Sequence, residues 1–528
     1  GWLTMGQQVV SWIEYHARHT PDRVALVDLD SGRELTYAEL ATRIRGLAWS
    51  LSSRFGVASG DRVAVLSRSD TRVFEVIYAC ALLGAVAVPL NWRLTPGELT
   101  AVTADAEPML LVCESASAEV AGEVAAGAGV PSVLSWASEP TAGGEAGSPD
   151  EYEVLAGAAV PEEWAPDPVD EDAVWTIIYT SGTTGLPKGV QATHRGMLAS
   201  MLGILAALRV GADSRCLTVL PLFHVAGLNL FANPVLYAGG SVVVARAFDP
   251  AVALALLTGT ATPVTHFCGV PAHYQFMQAL EEFGDARLRP FTAVVGGSPV
   301  PPALVQAWAD RGVALTTVYG ITEAGACVIS MPPGRELSHN GTIGVPLMYA
   351  RCRVRTADDR AARAGETGEL QISGPLVTPG YWSNPAATAE AFTADGWLHT
   401  GDAAATTADG HFVLLDRWKD MYISGGENVY PAEVENVLHD HPAVSQAAVV
   451  GAPHARWGEA GVAFVVLRPG ASATPAELIG WCRERLAGYK APTGVEFADE
   501  LPRNATGKVL KGSLREAVAR GVRWPDSA

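Results

Sequence analysis

Short apolar segments and amphipathic stretches alternate along the first hundred residues. Val24–Val27, Arg62–Leu66 and Ala85–Pro89 are mainly apolar and have the length of single buried strands. Helical spacing of apolar residues covers Val9–His19 and Arg72–Leu83. Because strand and helix patterns alternate, the sequence predicts an α/β fold with a largely parallel sheet.

A capping signal and a change of composition mark the next part of the chain. Glu39 follows Thr36 at the capping-box position, which predicts that a helix begins there. Residues 114–171 are rich in Ala, Gly, Glu and Pro and contain few large apolar residues, so we expect a peripheral stretch with loops. Alternation of strand and helix patterns then resumes at Ala173 and continues to about Leu415.

A charged segment near the C-terminus predicts a domain boundary. Asp416–Asp420 follows the strand-like segment His411–Leu415. Two helical stretches come next, Pro431–Leu438 and Ala476–Leu486, with strand-like sequence between them. The pattern therefore predicts a large N-terminal α/β domain with several subdomains and a small C-terminal domain of helices and strands.

Length and composition narrow the class of protein. At 528 residues the chain is too long for one ordinary core, so two or more structural units are expected. Hydrophobic residues make up 48% and charged residues 18%, which is typical of a folded globular protein. The net charge of −19 argues against non-specific nucleic-acid binding, although a local basic cluster could still hold an anionic substrate.

The cysteines and the apolar segments predict a cytoplasmic protein. Seven cysteines are scattered without a CxxC pair, so neither a disulfide framework nor a zinc site is expected. The longest apolar stretch, Tyr78–Leu90, is too short to span a bilayer and predicts core structure. The N-terminus lacks a basic region followed by an apolar one, so we expect no signal peptide and no integral membrane segment.

A loop rich in Gly and Thr, Thr180–Gly185, is the first candidate for chemistry. It follows the strand-like Trp175–Tyr179 and precedes Lys188 and a helical pattern over His194–Leu208. Its glycines allow backbone N–H groups to converge, and its hydroxyls and the lysine add donors and charge, which suits a polyphosphate. The alternative is a surface turn. It is not a Walker A loop, because Lys188 lies three residues after Gly185.

Thr180–Gly189 resembles the signature of the adenylate-forming superfamily, which comprises acyl- and aryl-CoA synthetases, adenylation domains of peptide synthetases and beetle luciferases. Further segments that resemble motifs of this family follow in family order: Tyr319–Glu323, Thr400–Asp402, Asp416–Asp420, Ser424–Asn428 and Leu501–Lys508. The resemblance covers nearly the whole chain and is greatest to the acyl-CoA synthetases. Several motifs in order are far more specific than any one of them.

The resemblance implies an ATP-dependent carboxylic acid–CoA ligase. Its parts would be an N-terminal adenylation domain over 1–416, a hinge over 417–420 and a small mobile α+β domain over 421–528. It would form acyl-AMP and pyrophosphate, then acyl-CoA and AMP, with ATP, Mg²⁺ and coenzyme A. The alternative is a standalone adenylating enzyme that passes the acyl-AMP to a carrier-protein thiol or another nucleophile. A luciferase-like oxidation and a non-catalytic nucleotide-binding protein also stay open as hypotheses.

The resemblance also assigns roles in adenylation, where cations and oriented donors must bring two anions together. It implies that Lys508 is catalytic, that Glu323 binds Mg²⁺ and that Thr322 donates to the α-phosphate. Tyr319 would stack on adenine, and Asp402 would accept hydrogen bonds from the ribose. The other implied nucleotide contacts are Thr180, Ser181, Gly182, Thr183, Thr184, Gly185, Lys188, Gly297, Ser298, Pro299, Gly320 and Arg417. Taken alone, each could be an ordinary surface or core residue.

Thioester formation would require the lysine to leave the carbonyl so that a thiol can reach it. The resemblance implies that the small domain rotates about Lys419. This rotation would bring the backbone of Ser424, Gly425 and Gly426 close to pantetheine. Lys419 could otherwise be an ordinary surface charge.

The resemblance implies an acid pocket with His224 at its entrance, although a lone histidine in an apolar segment is often a core residue. The expected wall residues are Ala226, Gly227, Val270, Gly297 and Ile321. Most are small or apolar, which suits an acyl or aryl group. An acidic residue that would bind an α-ammonium group is not evident, which disfavours an amino acid. Fatty, short branched and aromatic acids stay open, as do a monomer and a homodimer.

Overall fold

The computed structural model describes residues 11–137, 150–180, 187–259, 263–297, 300, 302–356, 358–417, 422–429, 431–502, 509 and 511–521. By its contacts the chain divides into two compact units. The first unit comprises residues 1–92, 103–178 and 189–415, and the second comprises 93–102, 179–188 and 416–528.

The α-helices are α1 (Ser11–His19), α2 (Tyr37–Phe55), α3 (Thr71–Leu83), α4 (Pro96–Ala106), α5 (Ala118–Ala128), α6 (Glu151–Ala156), α7 (His194–Leu208), α8 (Asn233–Ala238), α9 (Pro250–Thr258), α10 (Pro271–Gln278), α11 (Glu281–Asp285), α12 (Pro302–Ala309), α13 (Pro385–Ala391), α14 (Pro431–His439), α15 (Pro475–Arg483) and α16 (Lys511–Ala519). Short 3-10 turns cover Ser115–Ser117 and Thr322–Ala324, and a π-helical turn covers Gly227–Ala232.

The strands are β1 (Val24–Asp28), β2 (Glu34–Thr36), β3 (Arg62–Leu66), β4 (Val86–Pro89), β5 (Leu110–Glu114), β6 (Val133–Trp136), β7 (Val174–Thr180), β8 (Lys188–Thr193), β9 (Arg215–Thr218), β10 (Ser241–Val244), β11 (His266–Gly269), β12 (Thr292–Val295), β13 (Leu315–Tyr319), β14 (Ile329–Ser330), β15 (Val345–Pro346), β16 (Arg351–Arg355), β17 (Gly368–Ser373), β18 (Leu398–Thr406), β19 (Phe412–Arg417), β20 (Tyr422–Ser424), β21 (Glu427–Val429), β22 (Val444–His454), β23 (Gly458–Leu467) and β24 (Gly494–Phe497).

Three sheets build most of the first unit. One has the order β15-β14-β13-β12-β11-β9-β10-β1-β2, and a second has the order β6-β5-β3-β4-β7-β8. Their central strands pair in parallel, for example β11 with β12 and β3 with β4. A smaller sheet has the order β16-β17-β18-β19, and β17 pairs antiparallel with both β16 and β18. The predicted α/β fold with parallel sheets is therefore confirmed.

Local signals predict several helices of the first unit well. Helix α2 begins after Thr36, whose hydroxyl accepts from the Glu39 amide while the Glu39 side chain bonds back to Thr36, so the predicted capping box is present. Helix α7 has the predicted bounds His194–Leu208. Both α2 and α3 bury apolar side chains in the largest core cluster. Residues that cap and flank a helix are close in sequence, which is why pattern alone locates them.

The stretch 114–171 has more regular structure than the expected loops. It contains α5, β6 and α6, and β6 forms the edge strand of a sheet. Trp136 and Tyr152 are fully buried, with ring centroids 5.4 Å apart. Few large residues are needed because small residues of α5, such as Ala121 and Ala125, allow close packing. The edge position agrees with a peripheral stretch, but the expectation of loops was wrong for these elements.

The second unit has its own sheet, in the order β21-β20-β23-β22 with β24 beside β23. Strands β22 and β23 form a long antiparallel pair, and β24 runs parallel to β23. Helices α14 and α15 contribute Val434, Leu438 and Leu478 to its core. Helix α16, which the sequence pattern did not predict, adds Leu514 to a second small cluster.

Candidate active site

Two neighbouring strands frame the predicted phosphate loop. Strand β7 ends at Thr180 and strand β8 begins at Lys188, and the two strands lie side by side in one sheet. Both residues are half-buried. Ser181, Gly182, Thr183, Thr184 and Gly185 lie outside the described residues.

Close backbone packing positions the segment that follows β13. Strand β13 ends at Tyr319, and a side chain added at Gly320 would bring its Cβ to 1.7 Å from the carbonyl oxygen of Ala326. Only glycine fits this approach. The next residues form one 3-10 turn that contains Thr322 and Glu323. The turn therefore lies at the carboxyl end of a strand in a mainly parallel sheet, where α/β folds commonly bind ligands.

The carboxylate of Glu323 is held from a distant part of the chain. The Tyr381 hydroxyl donates to Glu323 Oε1 over 2.8 Å, and the Thr378 amide donates to the Glu323 carbonyl over 2.7 Å. The segment that contains Thr378 and Tyr381 also contacts β8, because the Trp382 amide donates to the Gly189 carbonyl over 2.7 Å. Sequence reasoning missed Tyr381 and Thr378. The available signal was a Pro-Gly turn followed by two aromatic residues.

A small pocket lies beside this turn. Its lining includes both Thr322 and Glu323, together with Gln191, Thr193 and Thr378. The Thr378 hydroxyl donates to the Gln191 carbonyl over 2.7 Å, so β8 is hydrogen-bonded to the segment that orients Glu323. The pocket therefore brings predicted site residues together with the end of β8.

Tyr319 and Asp402 also meet, although they are 83 positions apart in the sequence. The Tyr319 hydroxyl donates to Asp402 Oδ2 over 2.6 Å, and both residues are buried. The Asp402 amide donates to Thr400 Oγ1 over 3.0 Å, which constrains the backbone of β18 just before the carboxylate. A carboxylate can accept several hydrogen bonds, so the contact with Tyr319 is compatible with further donors such as ribose hydroxyls.

Some predicted pocket residues are neighbours, and others have local packing roles. Gly297 has φ +77°, and a Cβ there would lie 3.5 Å from Val270 Cγ1. Gly227 is buried, and its Cβ would come within 2.2 Å of the Pro221 carbonyl oxygen, so backbone packing alone requires glycine. His224 is half-buried, with its ring centroid 4.6 Å from that of Phe223. The remaining predicted wall residues are both half-buried: Ala226 and Ile321.

In the second unit, the predicted pantetheine loop is a two-residue hairpin turn. Ser424 pairs with Glu427, and the intervening Gly425 and Gly426 have φ +60° and +83°. Positive φ at both central residues is the requirement of a type I′ turn, so the glycines have a local reason to be there. The Gly425 amide donates to the Trp457 carbonyl over 2.9 Å, which holds the turn in place.

Besides the five loop residues named above, four further predicted residues lie outside the described residues: Ser298, Pro299, Lys419 and Lys508. Arg417 is the last residue of β19. Among the described residues, every helix falls short of the length or the apolar content that a membrane crossing requires.

Comparison with known proteins shows the family to which the chain belongs. Residues 13–382 match the family of AMP-binding enzymes, and residues 433–508 match the AMP-binding enzyme C-terminal domain. The chain belongs to this family of adenylate-forming enzymes.

Individual relatives match along nearly their whole length. A feruloyl-CoA synthase from Amycolatopsis sp. is 40% identical over 96% of this chain and 99% of its own. A 2-succinylbenzoate–CoA ligase from Geobacillus kaustophilus is 38% identical over 97% of this chain and 98% of its own. The solved structure of an o-succinylbenzoate CoA synthetase double mutant from Bacillus subtilis, bound with a product analogue, superposes with a TM-score of 0.83 at 30% identity, covering 96% and 98% of the two chains.

Proposed function

We propose that this protein activates an aromatic carboxylic acid. The protein is an AMP-forming acid–CoA ligase, which converts acid and ATP to acyl-AMP and pyrophosphate and then converts acyl-AMP and CoA to acyl-CoA and AMP. Identity of 40% with a feruloyl-CoA synthase over 96% of the chain is the observation that carries the proposal for the acid. The described wall residues are uncharged, which suits an aromatic ring.

The first step needs positive charge and oriented donors, because the carboxylate and the α-phosphate are both anions. In our proposal, Lys188 and the Thr180–Gly185 loop bind the β- and γ-phosphates. Thr322 donates to the α-phosphate. Lys508 lies between that phosphate and the acid, where it offsets repulsion and stabilises the charge that develops during transfer.

Glu323 is the residue that we propose for Mg²⁺. Its half-buried carboxylate is oriented by the Tyr381 hydroxyl, and a carboxylate oxygen is the kind of hard ligand that Mg²⁺ prefers. The residues present therefore fit the ion. When bound, Mg²⁺ would neutralise charge on the phosphates.

The nucleoside would lie near the second pair of predicted residues. We propose that the ring of Tyr319 stacks on adenine and that Asp402 accepts from the ribose hydroxyls. The 2.6 Å hydrogen bond between these two side chains supports the proposal, because it holds the ring and the carboxylate in one fixed arrangement.

In the second step the thiol must replace the catalytic lysine at the carbonyl. We propose that Lys419 is the hinge of this exchange and that the Ser424–Gly426 turn binds pantetheine. The turn supports the proposal because its backbone is fixed by the Ser424–Glu427 pair and by Trp457. A rigid turn without side chains at its tip allows close approach of a ligand.

Pyrophosphate exchange across a panel of acids tests the proposal for the acid. The panel pairs hydroxycinnamates and substituted benzoates with short branched and long unbranched alkanoic acids. We expect kcat/KM for the best aromatic acid to exceed that of every alkanoic acid by at least about tenfold, the scale of discrimination that an apolar pocket provides. Preference for an alkanoic acid would overturn the aromatic proposal while leaving the ligase activity intact.

A further inference from the structure

Two histidines and one aspartate converge outside the residues assigned to catalysis. We call His339, Asp409 and His411 the His–Asp–His cluster. His339 Nε2 lies 2.7 Å from Asp409 Oδ2, and His411 Nδ1 lies 3.4 Å from Asp409 Oδ1. One ligand atom from each residue can be chosen so that all three lie within 4.8 Å of one another. The cluster belongs entirely to the first unit.

The environment of His411 gives an independent reason to expect a ligand. This residue is only 8% exposed. Its Nδ1 approaches Asp409 Oδ1 at 3.4 Å without forming a hydrogen bond, and neither ring nitrogen has a hydrogen-bond partner among the described residues. A buried polar group without a partner is destabilising, so such a group in a folded protein calls for a ligand or a functional reason. Its ring stacks on that of His339 with centroids 3.8 Å apart and planes 17° apart.

Neighbouring side chains orient the two more accessible members of the cluster. Ser338 Oγ lies 2.9 Å from His339 Nδ1, and the Thr407 hydroxyl donates to Asp409 Oδ1 over 2.6 Å. Outer contacts of this kind orient ligands in many metal sites.

We propose that the His–Asp–His cluster binds one divalent transition-metal ion of the Zn²⁺ type. Two imidazole nitrogens and one carboxylate oxygen are the ligands that such ions prefer, whereas Mg²⁺ prefers oxygen alone. Metal–ligand distances of about 2.0–2.2 Å require the three donor atoms to be about 3–3.5 Å apart. Each imidazole must also have the ion in its ring plane, so the two stacked rings would turn out of their near-parallel arrangement when the ion binds. Water would complete a tetrahedral site. The cysteine-based expectation of no zinc site does not bear on these ligands.

Binding would connect two separate parts of the first unit. His339 precedes β15, and Asp409 and His411 flank the tight turn between β18 and β19. Strand β18 also contains Asp402, the proposed ribose ligand. The ion would therefore stabilise the hairpin that carries a nucleotide-binding residue.

Metal titration of the full chain tests the proposal. Chelator-treated enzyme without a polyhistidine tag is titrated with Zn²⁺ by calorimetry and with Co²⁺ by visible absorption, in the absence of ATP. The ligand variants are Asp409→Asn and His339→Gln, chosen because both side chains are more exposed than that of buried His411. The controls are His19→Gln, which removes an exposed histidine, and Glu323→Gln, which removes the proposed Mg²⁺ ligand.

We expect one saturable Zn²⁺ site in the wild type and a Co²⁺ spectrum typical of tetrahedral nitrogen and oxygen ligands. Each ligand variant should bind at least about 10–100-fold more weakly, the range seen when even outer contacts of a metal site are lost. Both controls should bind like the wild type, and Zn²⁺ should raise the thermal midpoint only where the cluster is intact. Absence of saturable binding, or unchanged binding in Asp409→Asn and His339→Gln, would overturn the proposal.

Discussion

Single residues near the proposed phosphate site are fixed by two different physical requirements. Gly320 is required by space, because the Ala326 carbonyl occupies the position of any Cβ. Glu323 is the proposed Mg²⁺ ligand, and the Tyr381 hydroxyl orients its carboxylate. Gly320 could be identified from its motif. The hydrogen bond between Tyr381 and Glu323 joins residues 58 positions apart, and the Pro-Gly turn before Tyr381 indicates a turn but not this contact.

Substituting Gly320 should disrupt the turn that contains Thr322 and Glu323. We expect Gly320→Ala to abolish measurable pyrophosphate exchange and to lower the thermal midpoint, because a Cβ at 1.7 Å forces the backbone to move. Gly122→Ala in α5 is the matched control, since a Cβ there meets nothing within 4 Å. Normal exchange in Gly320→Ala would show that the backbone tolerates the shift and would contradict this explanation.

Removing the Tyr381 hydroxyl should weaken the proposed Mg²⁺ site. We expect Tyr381→Phe to raise the Mg²⁺ concentration needed for half-maximal adenylation about 10–100-fold, because the carboxylate of Glu323 loses its orienting donor. Excess Mg²⁺ should restore much of the rate. Tyr349→Phe, at an exposed tyrosine, provides the control. An unchanged Mg²⁺ titration curve would rule out the orienting role.

Burial of His194 should make the folded protein sensitive to mild acid. Desolvation lowers the pKa of His194 from its ordinary 6.5 to about 4. Between these pH values the unfolded chain binds a proton at His194 that the folded chain does not. The contribution of His194 to the free energy of unfolding is therefore fully present above pH 6.5 and is lost as the pH falls towards 4. The free energy of unfolding should fall by about 3 kcal/mol over this pH range. The thermal midpoint of His194→Gln should fall less over this pH range than that of the wild type, whereas His19→Gln should behave like the wild type.

At the scale of elements, the sequence predicts what is determined by near neighbours. The bounds of α7 and the capping box of α2 depend on residues within one or two turns of helix. Helices α5 and α6 and strand β6 were missed because their packing depends on small residues and on two aromatic residues buried against distant elements. Hydrophobic pattern counts large apolar residues, so it underestimates elements of this kind.

In the second unit, a buried lysine connects α4, α14 and the segment before β24. Lys490 is 2% exposed, and its Nζ lies 2.6 Å from Glu433 Oε1 and 3.0 Å from Glu98 Oε1. We expect Lys490→Ala to destabilise this unit by about 3–5 kcal/mol, because two largely buried carboxylates lose their cation. Hydrogen exchange of β22 and β23 peptides at increasing urea concentration would measure the loss in this unit. Arg520→Ala, which removes an exposed ion pair with Glu516, should cost far less.

At the scale of the whole molecule, the order of motifs was more informative than any element. Motifs from Thr180 to Lys508 indicated an adenylate-forming enzyme, and the family match over residues 13–382 and 433–508 agrees. The contacts that orient Tyr319, Asp402 and Glu323 could not be predicted, because they form only when distant strands assemble. The identity of the acid depends on the shape of a pocket, to which many separate segments contribute one side chain each.

Product analysis after a single incubation tests the central claim most directly. The protein is incubated with ATP, Mg²⁺, labelled pyrophosphate and the best aromatic acid, with and without CoA. Label transferred to ATP is counted, and the products are identified by mass. We predict pyrophosphate exchange and acyl-AMP without CoA, and acyl-CoA with stoichiometric AMP when CoA is added. Lys508→Ala should lower exchange about 10²–10³-fold, which assigns the activity to this chain. Acyl-AMP that is never converted to acyl-CoA, or the absence of exchange with every acid, would contradict the account.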